Sequence, residues 1–582
     1  MVTGGRLAPS VVTLAMWLLC TACPSPQRDQ PDGPAPTPAR PPSPAIVFTD
    51  IAEPAGLVHP IICGAPDKPF LIDTNGTGAA VLDFDGDGWM DLFVVHGSTM
   101  EAWRSGPTPD RLYRNLGDGR FEEVAEQVGV ADRAWGAGVL AWDYDNDGDP
   151  DLYVTNFGEN RLYRNDGGRF TDVAAAAGLL DPGWSNGAAA ADFDRDGDLD
   201  LYVAHYFVFD ISNPPRNTAQ GGHMVCKWRE ADVCCGPIGF EPERDHLYRN
   251  DGNGRFTDIS AEAGIWDNEP GHGMGVIWFD LEGDGLQDVY VANDAGPNFA
   301  YRNLGDGRFA EVGDRSGLAL GDTGVPMSSM GIAAGDIDRD GSEEIFVTNY
   351  SHQYNSLYRS VGGGMYEDIV ALSGLAEPSY RVLGWGTTFF DVEADGDLDL
   401  YVANGHVYPQ VDVVDPTTSY RQRGQLFLNN GGGGYDEWSP AADSPLARET
   451  SSRGVARVDF DNDGDFDLLV NGLDAPPMLL RNDCERAGAW VGVRLRGTRS
   501  PRDPAGARVR VTADELVQSQ TLHLGSSYMS SEDPRLLFGV GAAGEVAVEV
   551  DWPDGGSEQF GPLAVGRYHV LVEGEGRGGA GS

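Results

Sequence analysis

Seven stretches of this sequence place carboxylates at a spacing suited to binding a metal ion. The pattern D-x-[DE]-x-D-G-x-x-[DE] occurs seven times. Its acidic positions, numbered one, three, five and nine, are Asp83, Asp85, Asp87 and Asp91; Asp143, Asp145, Asp147 and Asp151; and Asp192, Asp194, Asp196 and Asp200. The later copies are Asp280, Glu282, Asp284 and Asp288; Asp336, Asp338, Asp340 and Glu344; Asp391, Glu393, Asp395 and Asp399; and Asp459, Asp461, Asp463 and Asp467. Position six is Gly in every copy, from Gly88 to Gly464. Ca²⁺ is a hard cation that takes six to eight oxygens at about 2.3–2.6 Å, and carboxylates at positions one, three and five of a tight loop converge on one point. Gly at six permits the turn, position seven offers its carbonyl, and position nine returns a last carboxylate. Without a cation, four carboxylates that close repel one another. Glu282, Glu344 and Glu393 have a longer arm and change the geometry, so their loops are expected to bind more weakly. Up to seven Ca²⁺ ions follow as the expected cofactors.

A second set of candidates is His96, His205, His352 and His406, each just after a strand-like DLYVA-type segment; Asn156, Asn293, Asn349 and Asn404 stand at comparable places. These histidines could gather at one mouth of a ring of strands and hold a transition metal or polar ligand. The plainer reading is that they hydrogen-bond the turns leaving those strands. Trp135, Trp184 and Trp385 could line the same mouth as a sugar or peptide platform, or simply pack. No nucleophile elbow, zincin helix, Cys–His signature or phosphate loop is present, so the chain is read as a non-enzyme.

The elements that position the acidic loops read as β-strands. The loops run straight into DLFVV, DLYVT, DVYVA, EIFVT and DLLVN, β-branched and aromatic segments rather than the flanking helices of an EF-hand. Upstream of each loop lies a Gly-rich strand; downstream come an LYRN-like strand, a Gly-containing turn and a strand such as RFTDV. Each repeat therefore holds four strands, and seven repeats predict a seven-bladed β-propeller with four-stranded blades. The last LYRN-like strand, Leu479–Asn482, has no partner strand after it. Val47-Phe48-Thr49-Asp50-Ile51 supplies the missing piece from the N-terminal side and would close the ring.

Over residues 46–484 these motifs resemble the FG-GAP/VCBS repeat family, the propeller type of integrin α-subunit heads. Residues 485–572 change character. GAWVGVRLRGTRSPRDPAGARVRV, GSSYMSSEDPRLLFGVG and VDWPDGG look like an ASPIC/UnbV domain, read as a small β-sandwich-like domain whose exposed Gly525-Ser526-Ser527-Tyr528 loop is a turn or contact surface. Residues 573–582 read as a flexible tail. The whole is similar to bacterial relatives of cartilage acidic protein. The resemblance implies an all-β, extracellular calcium-binding protein and brings no settled biochemical activity.

Residues 206–245 interrupt the third repeat and carry Cys226, Cys234 and Cys235. A Cys226–Cys235 bridge would pin this long loop, and Cys63 with Cys484 could staple the ring seam. Residues 1–22 read as a secretory signal with a short apolar run at Val11–Leu19, too short to span a bilayer. Leu19-Cys20-Thr21-Ala22-Cys23 resembles a lipobox with Cys23 as the acylated residue; an ordinary signal cleavage is the alternative. Residues 23–45 then follow as a lipidated Cys and a Pro-rich tether.

Charge narrows the partners. The 582 residues carry 90 Asp+Glu against 41 Lys+Arg, a formal charge of −49, which argues against nucleic acid. At 41% hydrophobic residues the chain can build a core, while 79 Gly and 37 Pro exclude a mainly helical protein. The resulting expectation is an outer-membrane or cell-surface lipoprotein, or alternatively a secreted or periplasmic protein, that binds a protein or glycan and meets the membrane through its lipid alone. A hydrolase or lyase site in the central funnel, and a scaffold docking through the C-terminal domain, are the competing expectations.

Overall fold

A computed structural model describes residues 45–106, 108–214 and 226–578. The expected signal segment, Cys23 and all but the last residue of the tether lie outside the described residues, as do residues 579–582. No helix among the described residues is long and apolar enough to cross a membrane.

The chain is all-β. It forms seven four-stranded antiparallel sheets in a propeller-like succession, numbered I to VII over residues 79–123, 135–172, 185–258, 273–311, 329–368, 384–438 and 452–482, the last taking a strand from the N-terminal side. Sheet II is typical: Trp135–Trp142, Asp151–Phe157, Arg161–Asn165 and Phe170–Asp172 lie side by side in sequence order, and the acidic loop joins the first strand to the second. In sheet VII the order is Ser452–Val458, Asp467–Gly472, Met478–Asn482 and then Phe48–Asp50 from the N-terminal side, with Phe48 opposite Asn482 and Asp50 opposite Leu480.

The Gly-rich first strands are explained by close approach. A Cβ on Gly331 would lie 2.1 Å from the Trp385 carbonyl oxygen of the next sheet, and one on Gly454 would lie 2.8 Å from that of Thr77, so neither position admits a side chain. Apolar side chains fill the spaces between sheets. Leu140, Tyr153 and Leu162 of sheet II share one core with Ala189, Leu201 and Leu247 of sheet III, all fully buried. Each large apolar side chain buried this way contributes about 1.5–3 kcal/mol.

Residues after Cys484 form a three-stranded and a five-stranded sheet. Val491, Val493, Phe538 and Leu571 of the first pack against Val509, Val511, Val548 and Val550 of the second in one core. Residues 573–578, expected to be a flexible tail, are instead built in. Glu573 is buried and accepts the backbone N–H of Thr498, Arg499 and Ser500, and Arg577–Gly578 pairs with the strand Ser557–Ala564.

The loop expected to be exposed at Gly525–Tyr528 is corrected most sharply. Residues 524–531 run between the first strands of the sheets, where Ser527, Tyr528 and Met529 are at most 2% exposed. Their backbone completes hydrogen bonds that the first strands leave open: Ser527 N–H to Ile332 O (2.7 Å), Val139 N–H to Met529 O (3.1 Å), Ala190 N–H to Leu524 O (2.9 Å) and Val81 N–H to Ser531 O (3.0 Å). At the tip the Tyr528 hydroxyl donates to Asn75 O at 3.1 Å, and its ring meets Trp385 edge-on at 4.9 Å. Sequence patterning missed this because a short Ser-Ser-Tyr turn reads as surface chemistry; its partners come from four different sheets.

Cys226 and Cys235 are bonded, joining the ends of a small hairpin in the insertion, while Cys63, Cys234 and Cys484 are free and buried. The expected Cys63–Cys484 staple is therefore absent. Cys63 Sγ lies against Ile72 O and Cys484 Sγ against Val47 O, each sealing a different segment.

Tyr528→Ala removes a fully buried aromatic anchor and is expected to destabilise the protein by about 3–5 kcal/mol. Denaturant unfolding reads this as a lower midpoint; an unchanged midpoint would contradict the packing described.

Candidate functional site

Six of the seven loops share one hydrogen-bonding plan, the loop at Asp336–Glu344 departing from it with the Asp340 N–H on Asp338 and only the Ile337 N–H on Glu344. The position-one carboxylate accepts the backbone N–H of positions five and six: Asp143 from Asp147 (3.1 Å) and Gly148 (2.8 Å), Asp459 from Asp463 (3.1 Å) and Gly464 (3.0 Å). The position-nine carboxylate accepts the N–H of position two and of the Asn that ends the third strand. Asp91 bonds Phe84 (3.0 Å) and Asn115 (2.7 Å), and Asp399 bonds Val392 (3.0 Å) and Asn429 (2.8 Å). Position four is left-handed in every copy, including Asn146, Arg195, Arg339, Ala394 and Asn462. The sequence pattern marked only the Gly at six; the second left-handed turn completes the curl that aims the carboxylates inward.

Burial is graded along each loop. Position nine is buried in every copy, and position five is exposed in all but Asp395. The carboxylates of Asp83, Asp85 and Asp91 offer oxygens within 4.8 Å of one another, as do those of Asp143, Asp145 and Asp151, of Asp192, Asp194 and Asp200, and of Asp336, Asp338 and Asp340. Buried oxygens of Asp85, Asp145, Asp336 and Glu344 have no hydrogen-bond partner, as the ligands of an oxygen-seeking cation would. Burial, with neighbouring carboxylates adding to it, pushes Asp91 and Asp288 up to about 8, Asp151 to about 9, Asp143 and Asp459 to about 7 and Glu344 to about 9.

The third-strand Asn carries a role that residue-type reasoning missed. Besides bonding position nine through its N–H, its side chain donates across to the position-two carbonyl of the preceding sheet. Asn165 reaches Phe84 O (2.8 Å), Asn250 reaches Tyr144 O (2.9 Å), Asn303 reaches Phe193 O (2.9 Å) and Asn482 reaches Val392 O (2.9 Å). Asn115 of sheet I reaches Phe460 O of sheet VII at 2.8 Å. Sheet V has Ser360 at this position. The recurrence of LYRN was the available signal; its meaning needed the neighbouring sheet.

The C-terminal domain seats on this acidic face. Tyr568 OH donates to Asp459 Oδ2 (2.6 Å), Ser519 Oγ to Asp336 Oδ2 (2.6 Å) and Arg535 to Asp459 O (2.7 Å), while the Asp503 carboxylate accepts the Asp143 N–H (3.0 Å).

The alternative of one cluster of all four histidines does not hold, and only His352 and His406 among them meet, across Trp228. His96, His205 and His406 sit in different sheets and separate surroundings. His96 is buried, its pKa pushed down to about 3 by burial, with neither ring nitrogen hydrogen-bonded. His406, also held to about 3 by burial, accepts the Tyr408 N–H and packs edge-on against Trp228, which stacks on His352. His205 faces Asp181. The sister asparagines do tie down the turns: Asn156 donates to Glu159 O, Asn293 to Pro297 O, Asn349 to Tyr354 O and Asn404 to Arg423 O.

Beside Trp385, against which the Tyr528 ring packs, lies an open pocket of about 440 Å³, lined by Tyr206, Trp228, Met330, Tyr350, Trp385 and Tyr408 among others. Trp135 and Trp184 are buried in the adjoining core rather than in the pocket wall. The insertion hairpin forms one side. Trp228 Nε1 donates to Asp415 (2.9 Å) and Arg229 pairs with the same carboxylate (2.7 Å), while Ile238 stands 69% exposed at the rim.

Comparison with known proteins follows the same division. The FG-GAP-like repeat model matches residues 83–154, 143–203, 230–291, 280–347 and 336–402, together just over half of the chain. The ASPIC and UnbV model matches residues 497–578. Cartilage acidic protein 1 of Mus musculus and of Homo sapiens is 26% identical over 324 residues, 55% of this chain and 47% and 46% of those proteins. The match thus spans about half the length of these curated relatives. Among solved structures, BBS1N in complex with ARL6DN overlaps 75% of this chain and 97% of its own at 10% identity and a TM-score of 0.40. YCF48 bound to D1 peptide overlaps 73% and 98% at 11% identity and a TM-score of 0.36. Overlap at these scores carries no argument about function.

Two outcomes are expected. In the metal-free protein the loop carboxyls, raised from an ordinary value near 4 to about 7–9, stabilise the fold when protonated. That contribution is lost as pH rises through this window. The gap between thermal midpoints in Ca²⁺ and in EDTA should therefore widen from pH 5 to pH 8; a constant gap would contradict it. Separately, Asn303→Ala leaves the Phe193 carbonyl unpaired and should cost about 1–3 kcal/mol in chemical denaturation, against no change if the contact is idle.

Proposed function

The chain belongs to the FG-GAP-like repeat family, and on that footing we propose that it is a calcium-stabilised recognition protein. Its sheets close as a seven-bladed propeller, and a protein or glycan partner binds in the aromatic pocket at the end of the axis away from the C-terminal domain. The carrying observation is that residues 524–531 run between the first strands from the acidic face. A funnel site open on that side is filled, and the aromatic mouth remains as the concave surface. Its lining joins large apolar rings to a few polar groups, among them Asp294, which accepts from Tyr206 OH at 2.6 Å. This is the composition of a ligand pocket.

Calcium suits the seven loops by donor chemistry: all-oxygen, carboxylate-rich and partly unpaired. A site held at tenfold excess over its Kd stabilises the fold by about 1.4 kcal/mol, so seven would contribute about 10 kcal/mol, the scale of a domain's net stability. Closure is supported by the N-terminal strand in sheet VII and by the Asn115 contact between sheets I and VII. Export to the cell surface as a lipoprotein fits the Cys226–Cys235 disulfide, which persists in an oxidising compartment.

Trp228→Ala tests the pocket. Partners captured on a glycan array or from cell-surface protein in Ca²⁺ should bind at least tenfold more weakly to this variant. Binding that is unaffected, with the fold intact, would move the recognition surface elsewhere.

A further inference from the structure

Sheet III departs from its neighbour at two of four matched positions. In sheet II, Asn156 is the penultimate residue of the second strand, Arg161 begins the third, Asp172 ends the fourth and Asp132 precedes the first strand. Arg161 there sits between two carboxylates, 3.5 Å from Asp132 and 3.5 Å from Asp172, and Asn156 Nδ2 donates to Asp132 at 3.1 Å. Sheet III keeps both carboxylates, as Asp181 and Asp258, but replaces Asn and Arg with His205 and His246. The permanent cation is gone while the acids remain, and Glu243 and Asp245 add negative charge beside His205.

The two imidazoles are oriented as metal ligands are. His205 Nδ1 faces the Val203 carbonyl at 3.3 Å, turning Nε2 to Asp181 Oδ2 at 2.9 Å. His246 Nδ1 faces Asp258 Oδ2 at 2.8 Å, so Nε2 is the nitrogen left for a ligand bond. A second partner on the far ring nitrogen is what fixes tautomer and aim in metal-binding histidines. Asp181 is itself held by the Gly183 N–H and by Tyr248 OH. One ligand atom from each of Asp181, His205 and His246 lies within 4.8 Å of the others. Ligand atoms about 2.0 Å from a tetrahedral ion lie about 3.3 Å apart, so small side-chain shifts admit the ion. Asp181 and His205 are buried, while the His246 side chain is 23% exposed and gives an entry path.

We propose that Asp181, His205 and His246 form a site for a divalent first-row transition ion, zinc by preference, separate from the seven oxygen-only loops. Two nitrogens and one carboxylate suit a borderline ion and are a poor match for calcium. The ion supplies the positive charge that Arg161 supplies in sheet II.

The test uses the whole chain in saturating Ca²⁺, so that the acidic loops are filled, with Co²⁺ as the spectroscopic probe. One equivalent should give intense visible bands of nitrogen-ligated, four-coordinate Co²⁺, bleached by Zn²⁺. His246→Arg copies the arrangement sheet II already tolerates and should keep the thermal midpoint in Ca²⁺ while losing the bands; His205→Asn should lose them likewise. Absence of the bands in the parent chain, or their persistence in both variants, would overturn the site. A parent chain without bands whose stability changes as His205 titrates would show that a proton, not a metal, replaces the arginine.

Discussion

A buried carboxylate at the ninth position of each acidic loop is the constraint on which the fold turns. It is held away from water, yet in six of the seven loops its oxygens accept backbone N–H groups from the loop itself and from the third strand. The Asn that supplies the second N–H also reaches the preceding sheet. Loop, sheet and neighbour are thus one polar unit, and buried polar units of this kind specify a structure only when every member is satisfied. The charge left over is large and concentrated, and a bound cation would offset it.

The C-terminal domain extends that dependence. It touches the acidic loops at Asp336 and Asp459, the same position-one carboxylates that would hold an ion, and sends residues 524–531 between the first strands. Opening the loops would loosen the seat of this domain, and withdrawing the domain would leave first-strand N–H groups unpaired. The free backbone groups of Ile332, Ala190 and Val139 explain why an ordinary-looking turn is buried.

Much of this was legible in the sequence because it repeats. Seven loops of fixed spacing, followed each time by a β-branched strand, determine strand order and loop position. The orphan strand at Phe48–Asp50 even shows its place in sheet VII. What could not be read was whatever depends on contacts between repeats. Asn165 and Asn303 look like turn residues until the carbonyl of the preceding sheet stands beside them. Cys63 and Cys484 look like seam partners until each is found sealing its own segment. The histidines share a strand-end position, but that position faces a different environment in each sheet, so His205 meets an aspartate while His406 meets Trp228.

The most direct measurement is a calcium titration of the metal-stripped chain, counting bound ions by calorimetry and following the thermal midpoint at each step. The account predicts several equivalents of Ca²⁺, up to seven, with the midpoint climbing by many degrees as they bind and Mg²⁺ failing to substitute. Uptake of calcium with no movement of the midpoint, or no uptake at all, would contradict the claim that these loops hold the sheets together through a bound ion.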